Sequence, residues 1–204
     1  MLNIAVFASG RGTNFQSIID AVKTGEIEAE IKILISDNQD AGALKRAERE
    51  DIENIFINPS HFESKEDYEE ELINILEGVN TDLVVLAGYM RILSPFFVSK
   101  FKNKIVNIHP SLLPAFKGLE AQKQAVEYGV KYSGCTVHFV DQGMDTGPII
   151  KQAVVEVKAD DTAEDLAARI LKEEHKIYPE VVKLIAQDRL EIEGRKVKIL
   201  KEEI

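Results

Sequence analysis

The residues Leu83-Val84-Val85-Leu86-Ala87 form an uninterrupted apolar run near the middle of the chain. A strand with one solvated face alternates apolar and polar side chains, whereas a continuous run is typical of a strand buried on both faces of a parallel sheet. Parallel strands are joined by crossover connections that usually contain a helix. This run therefore predicts an α/β protein with helices between its strands.

The segments on either side of this run alternate as such a sheet requires. The predicted strands are 4–8, 31–35, 55–57, 83–87, 105–109, 136–140 and 149–157, and the predicted helices are 15–22, 41–50, 66–76 and a long one that begins near Asp161-Thr162. Residues 190–192 and 197–199 flank Glu193-Gly194 and predict a C-terminal hairpin. We expect one Rossmann-like domain over residues 1–204, with a mostly parallel sheet and helices on both faces.

Composition and charge narrow the classes of partner. A net charge of −10 disfavours a nucleic-acid partner, because such proteins neutralise phosphates with a basic face. No apolar run approaches the roughly 20 residues that span a membrane, and the chain starts directly in a strand-like segment without a signal peptide. We expect a cytoplasmic protein with small-molecule ligands, and composition leaves a homo-oligomer open.

The cysteine and histidine content predicts no metal site. The single cysteine, Cys135, cannot form an intrachain disulfide or a cysteine-based metal cluster. His61, His138 and His175 have no ligand-like spacing.

Ligands of open α/β sheets bind beyond the carboxyl ends of the strands, so the segment after the first strand is informative. It reads Ser9-Gly10-Arg11-Gly12-Thr13-Asn14 and leads into a predicted helix. Glycines allow close approach of the backbone, and the N–H groups at a helix N-terminus favour an anion such as a phosphate. Phe15 replaces the third glycine of the dinucleotide fingerprint. A plain tight turn is an equally good reading of this loop.

Polar side chains also end the fifth predicted strand. The period of two places Asn107 and His109 on one face, and Pro110 ends the strand after them. Asp145 lies in the loop after the sixth strand, where a carboxylate near His109 would favour the charged imidazole. Taken singly, His109 also reads as a structural histidine and Asp145 as an ordinary loop residue.

Two further segments have an open interpretation. Glu174 falls within the apolar stripe of the last helix, where a carboxylate is costly unless a cation or a ligand pairs with it. The segment Gly88–Leu93 follows the central strand and suits either a flat aromatic ligand or the start of a helix.

The stretch Asn107–Pro114 (NIHPSLLP), together with Asp145–Pro148 (DTGP), resembles the signature of the folate-dependent formyltransferases. The resemblance implies a Rossmann-like domain that uses 10-formyltetrahydrofolate as cosubstrate, with no metal and no nucleotide cofactor. It also implies that Asn107, His109 and Asp145 are the catalytic residues.

The first loop and the Glu174 segment resemble the branch of that family that formylates phosphoribosylglycinamide in purine synthesis. The resemblance implies that Gly12, Thr13, Asn14 and Glu174 bind this substrate. The residues that it implies for folate binding are Lys65, Met90, Arg91, Ile92, Leu93 and Asn107. Lys65 stands where the family has an arginine, and a lysine keeps the charge but lacks the planar fork. Gln122 stands where a histidine is often found, so we assign it no role.

Three alternatives compete with this interpretation. A methionyl-tRNA formyltransferase carries an additional C-terminal domain and binds tRNA, which fits 204 residues and a charge of −10 badly. A formyltetrahydrofolate hydrolase usually has an N-terminal regulatory domain. A nucleotide-binding regulatory protein would use the first loop alone, without the Asn107, His109 and Asp145 motif.

Overall fold

The computed structural model describes residues 1–201, and the chain divides into two compact units between Val106 and Asn107. The elements of the first unit are β1 (Leu2–Phe7), α1 (Thr13–Lys23), β2 (Ala29–Ser36), α2 (Gly42–Arg49), β3 (Asn54–Phe56), a 3-10 turn (Pro59–His61), α3 (Lys65–Gly78), β4 (Leu83–Leu86) and α4 (Pro95–Lys100). The strand β5 (Ile105–His109) crosses the boundary between the units.

The strands of the first unit are parallel and follow the order β3-β2-β1-β4. All four residues of β4 are buried, as the apolar run predicted. Ile4–Phe7 of β1 are likewise fully buried, because a central strand of a parallel sheet is covered on both faces. The chain therefore enters the loop after β1 from a rigid strand.

The second unit begins at Asn107 and combines antiparallel strands with one long helix. Its elements are α5 (Ala121–Tyr128), β6 (Tyr132–Phe139), β7 (Ile149–Glu156), α6 (Ala163–Ala186), β8 (Leu190–Glu193) and β9 (Lys196–Ile199). β6 pairs with β7 antiparallel, β7 pairs with β9 parallel, and β8 and β9 form the predicted hairpin.

The long helix α6 begins where the sequence predicted. The Thr162 hydroxyl accepts from the backbone N–H of Asp165, and the Asp165 carboxylate accepts from the backbone N–H of Thr162, which is a complete capping box. The apolar stripe of α6 is buried and contacts β6 and β7. This contact fixes the helix that carries Glu174.

The expected α/β class with a mostly parallel sheet and a C-terminal hairpin is confirmed, and a single domain over residues 1–204 stays a prediction. The sixth strand begins at Tyr132, four residues before its predicted start, because Gly134 packs against β7 where a Cβ atom would lie 1.9 Å from the carbonyl oxygen of Ala153. The short helices α4 and α5 were not predicted. Over residues 1–201, no helix is long and apolar enough to cross a membrane.

Candidate active site

The strand β5 carries the predicted pair Asn107 and His109. His109 is 5 % exposed and Asn107 is half-buried, whereas the alternate residues Val106 and Ile108 are apolar and buried. The His109 Nε2 atom lies 2.8 Å from the carbonyl oxygen of Phe116. Because a carbonyl oxygen only accepts, Nε2 carries a proton in this contact. The carbonyl of Phe116, in the loop after β5, therefore determines that Nε2 of His109 carries a proton.

Asp145 lies in the loop between β6 and β7, as the sequence predicted, and its carboxylate faces His109, which the sequence left open. Its Oδ2 atom accepts from the backbone N–H of Gly118 at 2.8 Å and lies 3.4 Å from His109 Nδ1. The Asp145 side chain is 12 % exposed, and its backbone is left-handed, with φ of 52°. The two side chains form an ion pair when the imidazole carries both protons.

His138 is a member of this cluster that the sequence interpretation missed. Its ring is 2 % exposed, and its Nε2 atom lies 3.3 Å from Asn107 Nδ2 and 3.7 Å from Asp145 Oδ1. Burial lowers the pKa of His138. Thr136 and His138 alternate along β6 as Asn107 and His109 do along β5, and this shared period was the available signal.

Buried polar contacts hold the loop that follows His109. The Thr136 hydroxyl donates to the carbonyl of Ser111 at 2.7 Å and accepts from the N–H of Leu113 at 3.1 Å. The Gln152 amide donates to the carbonyl of Leu113 at 3.0 Å. These bonds tie the start of the loop to β6 and β7, so the chain that reaches Phe116 starts from a fixed position.

Glu174 is buried on the inner face of α6, at 7 % exposure, as its place in the stripe predicted. Its negative charge contributes to a raised pKa of the nearby thiol of Cys135, which is fully buried in β6. Burial is the main cause that raises the pKa of Cys135 to about 12, and the carboxylates of Glu174 and Glu173 add to it. A buried thiol with a raised pKa is typical of a packing residue and not of a nucleophile.

We expect Cys135 to resist thiol reagents in the folded protein. A pKa of about 12 leaves a thiolate fraction of about 10⁻⁴ at pH 8, and burial also blocks access. Labelling with a chromogenic disulfide at pH 8 should be negligible in native protein and stoichiometric in denaturant. Rapid labelling of native protein would show that β6 opens readily, contrary to this description.

In the first unit, the loop after β1 is built around Gly12. Gly12 is the N-cap of α1 and has φ of 70°, a left-handed conformation that favours glycine. A Cβ atom at this position would lie 2.7 Å from the Cβ of Ala43. Glycine is therefore required here on conformational and steric grounds, and the first-turn N–H groups of α1 meet no side chain from their own N-cap. A role of Gly12, Thr13 and Asn14 in phosphate binding stays a prediction.

Side chains from the β2–α2 region fix this loop, and the sequence interpretation did not include them. Arg46 on α2 donates from Nε to the carbonyl of Arg11 at 2.9 Å and from Nη1 to the side-chain oxygen of Gln16 at 3.0 Å. The Asn38 amide donates to the carbonyl of Ser9 at 3.0 Å. Two of the three acceptors are backbone carbonyls, which any residue presents, so the sequence carries no signal for these contacts.

The segment Gly88–Leu93 is a loop without regular secondary structure, and α4 begins only at Pro95. Met90 and Ile92 are 64 % and 68 % exposed, whereas Leu93 is buried. The guanidinium of Arg91 lies 5.4 Å from the centre of the Tyr68 ring, a cation–π contact. Exposed apolar side chains next to an oriented cation suit the edge of a flat aromatic ligand.

Ser9 joins this segment to the loop after β1. Its N–H donates to the carbonyl of Gly88 at 3.0 Å, and its hydroxyl accepts from the N–H of Met90 at 2.9 Å. The two loops of the first unit are thus hydrogen-bonded to each other.

Lys65 is the first residue of α3, and its Nζ atom lies 3.9 Å from Oε1 of Glu69. Glu69 is 1 % exposed and accepts from both the N–H and the hydroxyl of Ser94, next to Leu93. Lys65 is exposed and lies beside the buried carboxylate of Glu69, which anchors the end of the Gly88–Leu93 segment. A contact between Lys65 and folate stays a prediction.

An amide, two imidazoles and a carboxylate lie together on β5, β6 and the loop after β6, and groups of these types suit a group-transfer site that stabilises and relays charge. In residues 1–201, no group of three or more His, Cys, Asp or Glu side chains is placed to hold a metal ion. Residues 2–182 match the family described as Formyl transferase, and the chain belongs to this family.

Known relatives resemble the chain over most of its length. It is 45 % identical over 191 residues to the phosphoribosylglycinamide formyltransferase of Escherichia coli, covering 94 % of this chain and 90 % of that one. The solved glycinamide ribonucleotide transformylase 1 of Symbiobacterium toebii is 51 % identical, with a TM-score of 0.97 over 98 % of this chain and 95 % of that one. The formyltetrahydrofolate deformylase of Burkholderia mallei is more distant, at 28 % identity and a TM-score of 0.87, and covers 98 % of this chain and 70 % of that one.

Proposed function

We propose that this formyltransferase transfers the formyl group of 10-formyltetrahydrofolate to the amine of phosphoribosylglycinamide, in the cytoplasm and with small molecules as its only substrates. The observation that carries the proposal is the cluster of Asn107, His109 and Asp145, in a chain whose full-length relatives bear that name. The much lower identity to the deformylase favours transfer to an amine over hydrolysis.

The cluster supports direct attack of the amine on the formyl carbon. A bond forms between the amine nitrogen and the formyl carbon, and the bond from that carbon to the folate nitrogen breaks. The oxygen carries negative charge in the tetrahedral intermediate, where the Asn107 amide and the charged His109 ring would donate to it. Asp145 would stabilise the charged ring and hold a water that relays the proton from the amine towards the folate nitrogen.

His109 must change partners for this step. Its Nε2 proton is donated to the carbonyl of Phe116 at 2.8 Å, so the same proton reaches an oxyanion only if that carbonyl moves or shares it. Phe116 is itself left-handed, with φ of 49°, an unfavourable conformation for a bulky residue. The strain favours a loop that yields its contact when substrate arrives.

The binding residues follow from the same proposal. The N–H groups of Gly12, Thr13 and Asn14 at the start of α1 would hold the ribose phosphate, and the buried carboxylate of Glu174 would contact the same substrate. The folate would lie along Met90, Arg91, Ile92 and Leu93, with Asn107 and Lys65 contacting it as well.

The decisive experiment offers purified protein three acceptors in separate assays: phosphoribosylglycinamide, methionyl-tRNA and water alone. We expect formyl transfer to phosphoribosylglycinamide only, followed by release of tetrahydrofolate. Transfer to methionyl-tRNA, or tetrahydrofolate release without an acceptor, would refute the assignment. A melting shift with NAD or ATP and none with folate would indicate a nucleotide-binding protein.

We expect Arg46→Met to weaken the phosphate loop specifically. Loss of hydrogen bonds from a charged group costs about 1.5–3 kcal/mol, so KM for phosphoribosylglycinamide should rise about 10-fold or more, with KM for folate nearly unchanged. Arg49→Met is the matched control, because Arg49 donates from Nε to Lys45 of its own helix. Steady-state kinetics with each substrate varied in turn checks this.

Equal rises of KM for both substrates would mean that the loop is structural. Arg46 is a better test site than Gly12, where any side chain would overlap Ala43.

A further inference from the structure

The ring of His138 has a defined hydrogen-bonding polarity. Its Nδ1 atom lies 2.8 Å from the carbonyl oxygen of Phe139, and since that oxygen only accepts, Nδ1 carries the proton. Burial disfavours a second proton on the ring, which leaves a lone pair on Nε2. His138 is thus a fixed hydrogen-bond acceptor on the side that faces Asn107.

This polarity determines how the Asn107 amide is oriented. An asparagine amide turned by half a rotation has nearly the same shape, but its oxygen and nitrogen exchange places. Asn107 Nδ2 lies 3.3 Å from His138 Nε2, so one N–H of the amide points at the lone pair. In the flipped amide, Oδ1 would face that lone pair with no proton between them. The second N–H of the same NH₂ group stays available to a ligand.

We propose that His138 is a positioning residue that keeps the NH₂ group of Asn107, and not its oxygen, directed at the reacting formyl group. The proposal deepens the function stated above and rests on Asn107 as a donor to the oxyanion. A flipped Asn107 would present an acceptor to a negatively charged oxygen and so raise the barrier. His138 does not compete with His109 for Asp145, because its Nε2 atom carries no proton to donate and lies 3.7 Å from Asp145 Oδ1.

Two substitutions separate this role from simple packing. In His138→Gln, the side-chain oxygen can take the place of Nε2 and accept from Asn107, whereas His138→Met fills the volume with a weak acceptor. We expect the methionine variant to lose up to about 10²-fold in kcat, the lower end of the cost of losing an oxyanion donor, with both KM values within about twofold of wild type. The glutamine variant should recover most of the loss. Loss of kcat in both variants in proportion to lower melting temperature would overturn the proposal.

A double-mutant cycle provides the second criterion. In an Asn107→Ala background, His138→Met should change kcat little, because the amide that it orients is gone. A full further loss in that background would contradict the positioning role.

The tautomer itself is measurable in the wild-type protein. A long-range ¹H–¹⁵N spectrum should show His138 neutral and protonated at Nδ1. Either an Nε2-protonated or a charged ring near neutral pH would overturn the proposal even if a variant fails to fold.

If the wild-type protein does not formylate phosphoribosylglycinamide, the proposed function fails. If the wild-type protein is active and the methionine variant has an unchanged kcat, only the role of His138 is refuted.

Discussion

His109→Ala is expected to lower kcat for formyl transfer by at least about 10²–10³-fold, which corresponds to roughly 3–4 kcal/mol of transition-state stabilisation. The substitution removes the proposed donor to the oxyanion and the ring whose Nδ1 atom faces Asp145 Oδ2 at 3.4 Å. Folate and phosphoribosylglycinamide should still bind, so the loss should fall on kcat and not on KM. Steady-state kinetics together with folate titration measures both quantities.

Loss of the ring also leaves the carbonyl of Phe116 without the proton it accepts, so a structural effect must be separated from a chemical one. His109→Gln supplies an amide donor for that carbonyl but no charge, and we expect it to melt close to wild type with a reduced kcat. His61→Ala removes an exposed histidine of the first unit and is the control for the change itself. A His109→Ala enzyme with more than about a tenth of wild-type kcat would refute the mechanism.

Asp145→Asn is expected to lower kcat by about 10²–10⁴-fold, the usual contribution of a general acid or base. Asparagine tolerates the left-handed backbone at this position, and its oxygen can still accept from the N–H of Gly118. The variant therefore removes the charge beside His109 while the loop keeps its conformation. A stopped or continuous formyl-transfer assay measures the loss.

Asp141→Asn is the matched control for this charge change. Asp141 lies in the same loop and accepts from Gly143 N–H at 3.1 Å and from the Thr146 hydroxyl at 2.6 Å, contacts that an asparagine oxygen can also make. We expect its kcat within about threefold of wild type. If the two variants lose the same activity, the loop needs its total charge and Asp145 has no separate role.

The parts of the fold that the sequence predicted are those set by local periodicity. The apolar run at Leu83–Ala87, the alternation in β5 and the capped start of α6 near Asp161-Thr162 all depend on residues close together in the chain. The predicted start of β6 was wrong because glycine has a low strand propensity. Gly134 lies within the strand because only a residue without a Cβ atom can approach β7 so closely. The helix α5 was missed because it begins at a left-handed glutamate, Glu120, without a side-chain cap.

In the candidate site, too, the sequence predicted what depends on local periodicity and not what depends on contacts between distant residues. The sequence predicted that Asn107 and His109 share one face of β5, but it left open whether His109 and Asp145 touch, because that distance depends on the conformation of the loop after β6. The roles of His138 and Arg46 depend on which atom of a ring or guanidinium meets which carbonyl, and residue type does not encode that. The Phe116 contact of His109 likewise depends on a loop conformation that residue type does not specify.

The two hydrogen bonds that join Ser9 to the Gly88–Leu93 segment have a thermodynamic consequence for the affinities of two ligands. A ligand that immobilises the loop after β1 would also hold the hydroxyl that accepts from Met90, so it would lower the entropy cost of binding a second ligand at Gly88–Leu93. Linkage makes such an effect reciprocal: whatever factor one ligand adds to the affinity of the other is returned in full. The backbone N–H of Met90 would report this coupling, because it donates to Ser9 and its hydrogen exchange should slow when a ligand immobilises Ser9.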